Sequence, residues 1–204
     1  MEIKHYETGP IYVNTYLVYD ETGEGFIVDP GGFSQELMDE VNSKNLHIGW
    51  ILLTHGHGDH IGGIEEFRKE IPGVKVLASV HEKQTLEDPR LNSSKMINRR
   101  IIVEHADKYV EDGDEMQIGG MNLKFMFTPG HTPGGQVILV GKYCFCGDTV
   151  FRGSIGRTDF PGGDYDAIIK SLHRILDLPE DTVLLPGHMG ESTVKIEKET
   201  NPFA

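Results

Sequence analysis

The chain has 204 residues, of which 38% are apolar, and its formal net charge at pH 7 is −13. This length and apolar share are enough to bury one core, and no apolar run approaches the roughly 18 residues of a membrane-spanning helix. The strong negative charge repels nucleic acid and anionic membranes, so we expect neither as a partner.

We expect one domain over residues 1–204, because the sequence contains no linker, repeat or low-complexity segment. Its first ten residues, MEIKHYETGP, lack the basic and apolar regions of a secretory signal. Cys144 and Cys146 are two residues apart in an apparent strand, a spacing that disfavours a disulfide. We interpret them as small buried apolar residues, and these features together favour a cytoplasmic protein.

Short apolar runs alternate with helical patterns in the first half of the chain. Strands are predicted within residues 11–20, 25–32, 50–54 and 74–79. Ser34 is expected to cap the first helix. The apolar face of that helix is predicted to contain Leu37, Met38 and Val41. A second helical pattern contains Ile61, Ile64, Phe67 and Ile71.

The second half is richer in strands, and residues 88–107 fit no single pattern. Strands are predicted within residues 121–130, 136–141, 143–148 and 182–187. A helix is predicted to begin near Asp164. Its apolar face is predicted to contain Tyr165, Ile168, Ile169, Leu172, Ile175 and Leu176. This order predicts an α/β fold in which two mixed sheets pack face to face with helices outside.

Histidine or aspartate follows an apolar strand at four separate places. His55 and His57 follow the strand at 50–54, and the other three residues in this position are His131, Asp148 and His188. Ligand-binding groups in α/β folds gather at such strand ends, because the loops there are held by a rigid scaffold. We therefore expect these side chains to meet.

The stretch THGHGDHIGG, from Thr54 to Gly63, carries four of the candidate ligands. His55 and His57 would point away from each other on a helix, so they must lie in a turn to share one metal ion. Gly56 and Gly58 are expected to supply the unusual dihedral angles of that turn. Asp59 and His60, near the start of the next helix, could face a second metal ion.

Together these positions offer five histidines and two aspartates, too many ligands for one tetrahedral site. They fit two metal sites that share one carboxylate, with coordination positions left for water. The alternative is that HGHGDH is an adventitious metal-binding loop and the remaining residues are unrelated to it. Zinc is the expected metal, and iron and manganese also suit this set of donors.

The motifs resemble those of the metallo-β-lactamase fold superfamily. THGHGDHIGG matches its HxHxDH signature, and TPGHTPGG, FCGDTVFRGSIGRTDFPGGD and LLPGHMG follow in the expected order. Within the superfamily the chain is most similar to the glyoxalase II-like, hydroxyacylglutathione hydrolase group, in a short form without the C-terminal helical domain. The resemblance implies an αβ/βα four-layer sandwich with the site at one edge.

The resemblance also implies a division of the ligands. The first metal ion would be held by His55, His57 and His131, and the second by Asp59, His60 and His188. Asp148 would bridge the two ions, and Asp59 and Asp148 are the expected catalytic residues.

Two features bear on the substrate. Glyoxalase II enzymes of the long form end their third motif with a histidine where this chain has Gly135, which leaves glutathione dependence open. Metallo-β-lactamases of the main zinc class carry a cysteine at the position of Asp148, which argues against antibiotic hydrolysis.

The expected activity is hydrolysis of a small thioester, such as an S-hydroxyacyl-glutathione, by hydroxide formed between two divalent metal ions. The chain contains no Gly-x-Ser-x-Gly motif that would supply a serine nucleophile. The alternative is a persulfide dioxygenase, a branch of the same superfamily that shares the GRTDF motif and uses a single iron ion.

Three further residues are given roles. Asp29 is predicted to orient a ligand histidine, with a simple turn before Pro30 as the alternative. Arg157 is predicted to bind the substrate, with a structural ion pair to Asp159 or Asp164 as the alternative. Asn14 is interpreted as a packing residue, with a place beside the cleft as the alternative.

Overall fold

The fold contains fourteen strands, in a computed structural model that describes residues 1–204. They are β1 (Glu2–Thr8), β2 (Val13–Tyr19), β3 (Glu24–Val28), β4 (His47–Leu52), β5 (Lys75–Ser79), β6 (Lys108–Val110), β7 (Glu115–Ile118), β8 (Met121–Phe127), β9 (Gln136–Val140), β10 (Tyr143–Gly147), β11 (Val150–Phe151), β12 (Ser154–Ile155), β13 (Val183–Pro186) and β14 (Ser192–Thr193). The buried positions of β8 alternate along most of its length, as in a strand with one face on the core.

Six α-helices accompany these strands. They are α1 (Gln35–Ser43), α2 (Gly58–Ile61), α3 (Ile64–Glu70), α4 (Lys83–Glu87), α5 (Tyr165–Leu176) and α6 (Val194–Thr200). Two 3₁₀ turns cover Val80–Glu82 and Ser94–Ile97. No helix is both long enough and apolar enough to span a bilayer.

Two six-stranded sheets form the centre of the fold. The first has the order β1-β2-β3-β4-β5-β6, and its strands from β3 to β6 are parallel. The second has the order β14-β13-β10-β9-β8-β7, in which β10 and β13 are parallel and the other pairs antiparallel. Both sheets are therefore mixed, as predicted.

Three apolar clusters separate four layers. One lies between the sheets and includes Phe26 of β3 and Phe145 of β10. A second packs the first sheet against α1 and α3 through residues such as Leu37. A third packs the second sheet against α5 and α6, with Leu172 and Cys144 among its members. This arrangement is the αβ/βα sandwich, so the predicted fold is confirmed.

Several strands of each sheet end at one edge. In the first sheet β3 and β4 run in the same direction. In the second, β8 and β10 are both antiparallel to β9, and β13 is parallel to β10. The carboxyl ends of β8, β10 and β13 therefore lie together, and the loops after them carry polar side chains to this edge.

Some predictions about individual helices and residues are confirmed and others are wrong. Ser34 caps α1 by accepting from the backbone N–H of Leu37 at 3.2 Å, and both cysteines are free and buried, as predicted. Tyr165 was placed wrongly on the buried face of α5, since it is 55% exposed. The helical pattern after the first motif is two helices, α2 and α3, which are separated by Gly62 and Gly63. A Cβ at Gly62 would lie 2.5 Å from the carbonyl oxygen of Gly31, so this position has no room for a side chain.

Candidate metal centre

The first group of candidate ligands is almost completely buried. His55, His57 and His131 are 2%, 3% and 5% exposed, and one ring nitrogen of each lies within 4.8 Å of the others. Nδ1 of His57 is 2.9 Å from Nε2 of His131. His55 and His57 follow β4 of the first sheet, whereas His131 follows β8 of the second. The group therefore spans the two sheets.

The second group lies beside the first. It consists of Asp59, His60 and His188, again with donor atoms within 4.8 Å of one another. Oδ2 of Asp59 is 3.1 Å from Nε2 of His188 and 3.5 Å from Nε2 of His60. His60 is fully buried, and the side chain of His188 is 23% exposed. This group is thus open to solvent on one side.

Asp148 lies between the two groups. Its Oδ1 is 3.4 Å from Nε2 of His60, and its Oδ2 is 3.5 Å from Nε2 of His131. The same Oδ2 is 3.8 Å from Nε2 of His188. One carboxylate oxygen therefore faces the second group and the other faces both, which is the placement a bridging ligand requires.

Hydrogen bonds at Asp29 orient two of these histidines. Asp29 accepts from Nδ1 of His60 at 3.0 Å and from the hydroxyl of Thr54, and that hydroxyl is 3.1 Å from Nδ1 of His55. Because a carboxylate only accepts, Nδ1 of His60 carries a proton and donates it to Asp29, which leaves Nε2 as the atom that faces Asp59 and Asp148. This is the contact that the prediction for Asp29 required. The backbone of Asp29 has a φ of 47°, which lies in the left-handed region that few residues other than glycine adopt.

A third group of possible donors, Asp29 with His55 and His60, also satisfies the 4.8 Å criterion. We do not assign it as a metal site, because the oxygens of Asp29 already accept hydrogen bonds from His60, from the hydroxyl of Thr54 and from its backbone N–H at 2.8 Å.

His131 is oriented by a hydrogen bond to the backbone of Arg157. Its Nδ1 is 2.7 Å from the carbonyl oxygen of Arg157, which only accepts, so Nδ1 is the donor and Nε2 is an acceptor that faces Nδ1 of His57. Gly187 lies directly against Asp148. A Cβ at this position would lie 2.4 Å from Oδ1 of Asp148, so only glycine leaves room for that carboxylate.

Buried polar atoms without partners test whether this cluster suits a metal ion. Nε2 of His55, His57 and His60, and Oδ1 of Asp148, are buried and make no hydrogen bond. Leaving such an atom unpaired costs about 1–3 kcal/mol. Imidazole nitrogens and carboxylate oxygens are the donors that zinc and iron prefer. The residues present therefore fit metal ions.

Protonation states in this cluster follow from burial and charge. Burial lowers the pKa of His57 to about 3 and that of His55 well below its ordinary value, so both rings are neutral at pH 7. Burial also disfavours a charged His60, but Asp148 and Asp59 outweigh it and raise its pKa well above the usual range. In turn, His60 overcomes the effect of burial and holds the pKa of Asp148 well below its usual value.

Glu82 was not predicted, although it lies against two of the ligand loops. It is 1% exposed, and its Oε1 accepts from the backbone N–H of Gly134 at 3.1 Å and from the hydroxyl of Thr132. A Cβ at Gly56 would lie 2.8 Å from its Oε2. The polar run HEKQ around Glu82 is typical of an exposed helix start, so no local signal marks this carboxyl as buried.

Glycine has a different role in the motif from the one predicted. Neither Gly56 nor Gly58 has a positive φ, so the expectation of unusual dihedral angles was wrong. Both positions instead lie against other chain segments. A Cβ at Gly58 would be 2.5 Å from the Cβ of Ser94, and a Cβ at Gly56 would meet Glu82.

Asn14 holds the loop that carries His188. Its side-chain amide donates to the carbonyl oxygens of Pro186 at 2.9 Å and Met189 at 2.8 Å, and its backbone N–H donates to Gly187 at 2.7 Å. Packing was the predicted role of Asn14, and its contacts are with the loop that carries the candidate ligand His188.

A cleft of about 450 Å³ opens over the cluster. Its lining comprises Ile11, His57, Asp59, Ser93, Met96, Ile97, His131, Asp148, Phe151, Arg157, Phe160, His188 and Met189. This volume is in the range of small-molecule sites. Arg157 lines the cleft, and its guanidinium is also paired with Asp159, at 2.7 Å for each of two hydrogen bonds.

Comparison with known proteins identifies the family. The model of the metallo-β-lactamase superfamily matches residues 8–188. The chain belongs to the metallo-β-lactamase superfamily. Members of this superfamily bind metal ions, and the grouped histidines and aspartates of this member are its candidate ligands.

Two curated relatives of this superfamily member are described as hydrolases. The probable metallo-hydrolase YqgX of Bacillus subtilis (strain 168) is 37% identical over 207 residues, which cover 100% of this chain and 97% of that protein. The hydroxyacylglutathione hydrolase GloC of Haemophilus influenzae is 33% identical over 199 residues, which cover 93% of this chain and 92% of GloC.

Solved structures of similar proteins share the whole fold of this superfamily member. BLEG-1, described as a B3 metallo-β-lactamase, has a TM-score of 0.92 and 37% identity, with 99% of both chains covered. TTHA1623 in a di-iron-bound form has a TM-score of 0.86 and 32% identity, with 98% of this chain and 100% of that chain covered.

Proposed function

We propose that the chain is a binuclear metal-dependent hydrolase that cleaves a small thioester of the S-hydroxyacyl-glutathione type. The observation that carries the proposal is the cluster of unpartnered buried donors beneath the cleft, with Asp148 placed between two groups of ligands. The name of the relative GloC supports the substrate class. The proposal places the enzyme in the cytoplasm, within one domain over residues 1–204.

In this proposal each ligand group holds one divalent metal ion. The first ion would be held by His55, His57 and His131, the second by Asp59, His60 and His188, and Asp148 would contact both. Zinc is the proposed metal, and the di-iron form of TTHA1623 supports iron as an alternative. When bound, the two ions would lower the pKa of a water molecule and polarise the thioester carbonyl.

Residues of the chain accept and hold the protons of the reaction. In the metal-free chain, burial favours the neutral acid at Asp59, but a protonated His60 and the hydrogen bond from His188 outweigh it and hold the pKa of Asp59 below its usual value. An ionised Asp59 can accept the proton that the attacking water loses. Asp29 keeps a proton on Nδ1 of His60, and the carbonyl of Arg157 does the same for His131, so that Nε2 of each ring is the atom that would bind a metal ion.

The reaction forms a C–O bond from water and breaks the C–S bond of the thioester. The products are a carboxylic acid, which releases its proton to solvent, and a thiolate, which takes up a proton from Asp59 or from solvent. A thiolate is a good leaving group, so the chain needs no strong general acid. The solvent-open side at His188 leaves room for the departing thiol.

Two other activities are tested beside this one. A persulfide dioxygenase, which shares the GRTDF motif, would use one iron ion and leave Asp59, His60 and His188 without a role. Their grouping within 4.8 Å favours the two-metal hydrolase. The similarity to BLEG-1 makes β-lactam hydrolysis a second activity to test. Asp148 does not exclude that activity, because it argues only against β-lactamases that carry cysteine at that position.

The test measures metal content and three activities on the same preparation of purified protein. Two metal ions per chain and hydrolysis of S-lactoylglutathione or a related thioester are expected, with no persulfide-dependent oxygen uptake. A single iron ion with oxygen uptake, or cleavage of a β-lactam without thioester hydrolysis, would overturn the proposal. His188→Ala is the informative variant, because it should remove one metal ion and leave the first group occupied. Exposed His47→Ala, which pairs only with Glu24 at 2.8 Å, is its matched control.

A further inference from the structure

The side chains that line the cleft over the proposed metal centre include one permanently charged cation, Arg157, and an aspartate neutralises it. Apart from the proposed ligands, the only polar side chains in its lining are Ser93 and Arg157. Nε and Nη2 of Arg157 donate to Oδ1 and Oδ2 of Asp159, both at 2.7 Å. This is the paired, two-bond geometry in which a guanidinium best matches a carboxylate. The cleft therefore lacks a free positive side chain.

The neutralisation does not depend on an unbroken ion pair. The side chains of Arg157 and Asp159 are 53% and 67% exposed, and exposed pairs of this kind are individually weak. However, Asp159 is only two residues from Arg157, so its negative charge stays beside the guanidinium even when the hydrogen bonds open. Hydrogen bonding to Arg157 lowers the pKa of Asp159 to about 2, so this charge is present at any working pH.

A second contact confines Arg157. The centre of its guanidinium lies 3.8 Å from the centroid of the Phe160 ring, which also lines the cleft. Stacking on an aromatic face occupies one face of the planar group. The ring of Phe160 is in turn 5.6 Å from that of His57. Arg157 is thus held at the wall of the cleft, with both its charge and one of its faces engaged.

The remaining wall is apolar and open. Ile11, Met96 and Met189 are 47%, 66% and 62% exposed, and they are among the few large apolar side chains that the surface leaves uncovered. Phe151 and Ile97 complete this wall. Methionine adapts its shape to varied apolar ligands, which suits a site for flexible hydrocarbon groups. Exposed apolar side chains concentrated at one cleft indicate what it binds.

We propose that this cleft selects thioesters whose thiol portion is uncharged and apolar, and that Asp159 enforces the selectivity by neutralising Arg157. The inference rests on the proposed thioester hydrolysis and replaces glutathione by an apolar thiol as the preferred carrier of the acyl group. Glutathione carries a net negative charge at neutral pH and would meet no free cation at this wall. The net charge of −13 on the chain adds long-range repulsion of anionic substrates.

The first test compares three thioesters with the same lactoyl group, carried on glutathione, N-acetylcysteamine or N-hexanoylcysteamine. All three thiols are primary alkyl thiols, so the chemistry of the leaving group is matched. Each methylene that reaches an apolar wall contributes up to about four-fold. We expect kcat/KM with the hexanoyl compound to exceed that with the glutathione compound by about 10-fold or more, with the acetyl compound between them.

The second test removes the neutralising charge. Asp159→Asn leaves an exposed side chain of the same shape and frees the charge of Arg157. The ratio of kcat/KM for lactoylglutathione to that for the N-acetylcysteamine thioester should rise about two- to five-fold, the range that one exposed ion pair supplies. Asp88→Asn is the matched control, because Asp88 pairs in the same way with Arg90, two residues away and outside the cleft lining, at 2.6 Å. That variant should leave the ratio unchanged.

The outcomes separate the inference from the proposed function. If the wild-type enzyme prefers lactoylglutathione, or if Asp159→Asn leaves the ratio unchanged, the inference is wrong while thioester hydrolysis stands. An equal rise of the ratio in Asp88→Asn would also overturn it, because the effect would then come from net charge alone. Hydrolysis of none of the three compounds by the metal-loaded enzyme would overturn the proposed function and the inference with it.

Discussion

Replacing Glu82 by glutamine should change how the stability of the protein depends on pH. Burial raises the pKa of Glu82 to about 7 from an ordinary value of 4.5, although the hydroxyl of Thr132 and the N–H of Gly134 oppose this rise. Glutamine resembles the protonated acid in shape and keeps an oxygen for both donors. It cannot ionise, so it removes this one titration.

The magnitude follows from the two pKa values. A shift from 4.5 to about 7 corresponds to about 3 kcal/mol, at about 1.4 kcal/mol per pKa unit. The folded chain binds the proton more tightly than the unfolded chain, so the favourable contribution is complete below pH 4.5. It is lost as the pH rises to about 7 and changes little above that.

The assay is urea unfolding of the wild type and Glu82→Gln near pH 5 and near pH 8, at matched metal content. Between these two pH values the wild type should lose about 2–3 kcal/mol more unfolding free energy than the variant. Titration of the ligand histidines is common to both proteins and cancels in this difference. A difference below about 0.5 kcal/mol would refute the reasoning, because Glu82 would then titrate alike in the folded and unfolded chains.

Three further predictions concern the metal centre. Asp148→Ala should bind less of both metal ions and lose activity by about 1,000-fold or more, and normal metal content by mass spectrometry would contradict its place between the groups. Asp29→Ala should weaken metal affinity by about 10- to 100-fold in a chelator competition, because two histidines lose their orientation. Since the pKa of His60 is raised, metal binding near pH 7 should release a proton there, and affinity should increase with pH. Calorimetry in buffers of different ionisation enthalpy would detect this proton, and buffer-independent heats would argue against a protonated His60.

The grouping of the candidate ligands could be predicted from the sequence, because four of them are local and the other three each follow a strand. His55, His57, Asp59 and His60 occur within one short motif, and His131, Asp148 and His188 each follow an apolar strand. The edge at which they meet then follows from the parallel direction of those strands. The buried face of α1 was equally predictable, because its apolar residues recur at helical spacing.

Residues that act through long-range packing could not be predicted in the same way. Glu82 is buried only because the loops around Gly56 and Thr132 close over it, and those loops are distant from it in sequence. The pairing of Arg157 with Asp159 was one of the alternatives, and its geometry required the structure. Tyr165 fitted the helical pattern of α5 but is the first residue of that helix and is not among its buried residues.

The division of the ligands between the two sheets has a consequence for folding. Four of them follow β4 of the first sheet, and three follow strands of the second. A chain in which only one sheet has formed would present an incomplete set to each metal ion. The proposed metal ions would therefore bind the fully assembled sandwich far better than any half-folded form, and at about 1,000 times its dissociation constant an ion would add about 4 kcal/mol of stability. The proposed ions would thus link the two halves of the sandwich, and chelation should lower the free energy of unfolding of the whole domain.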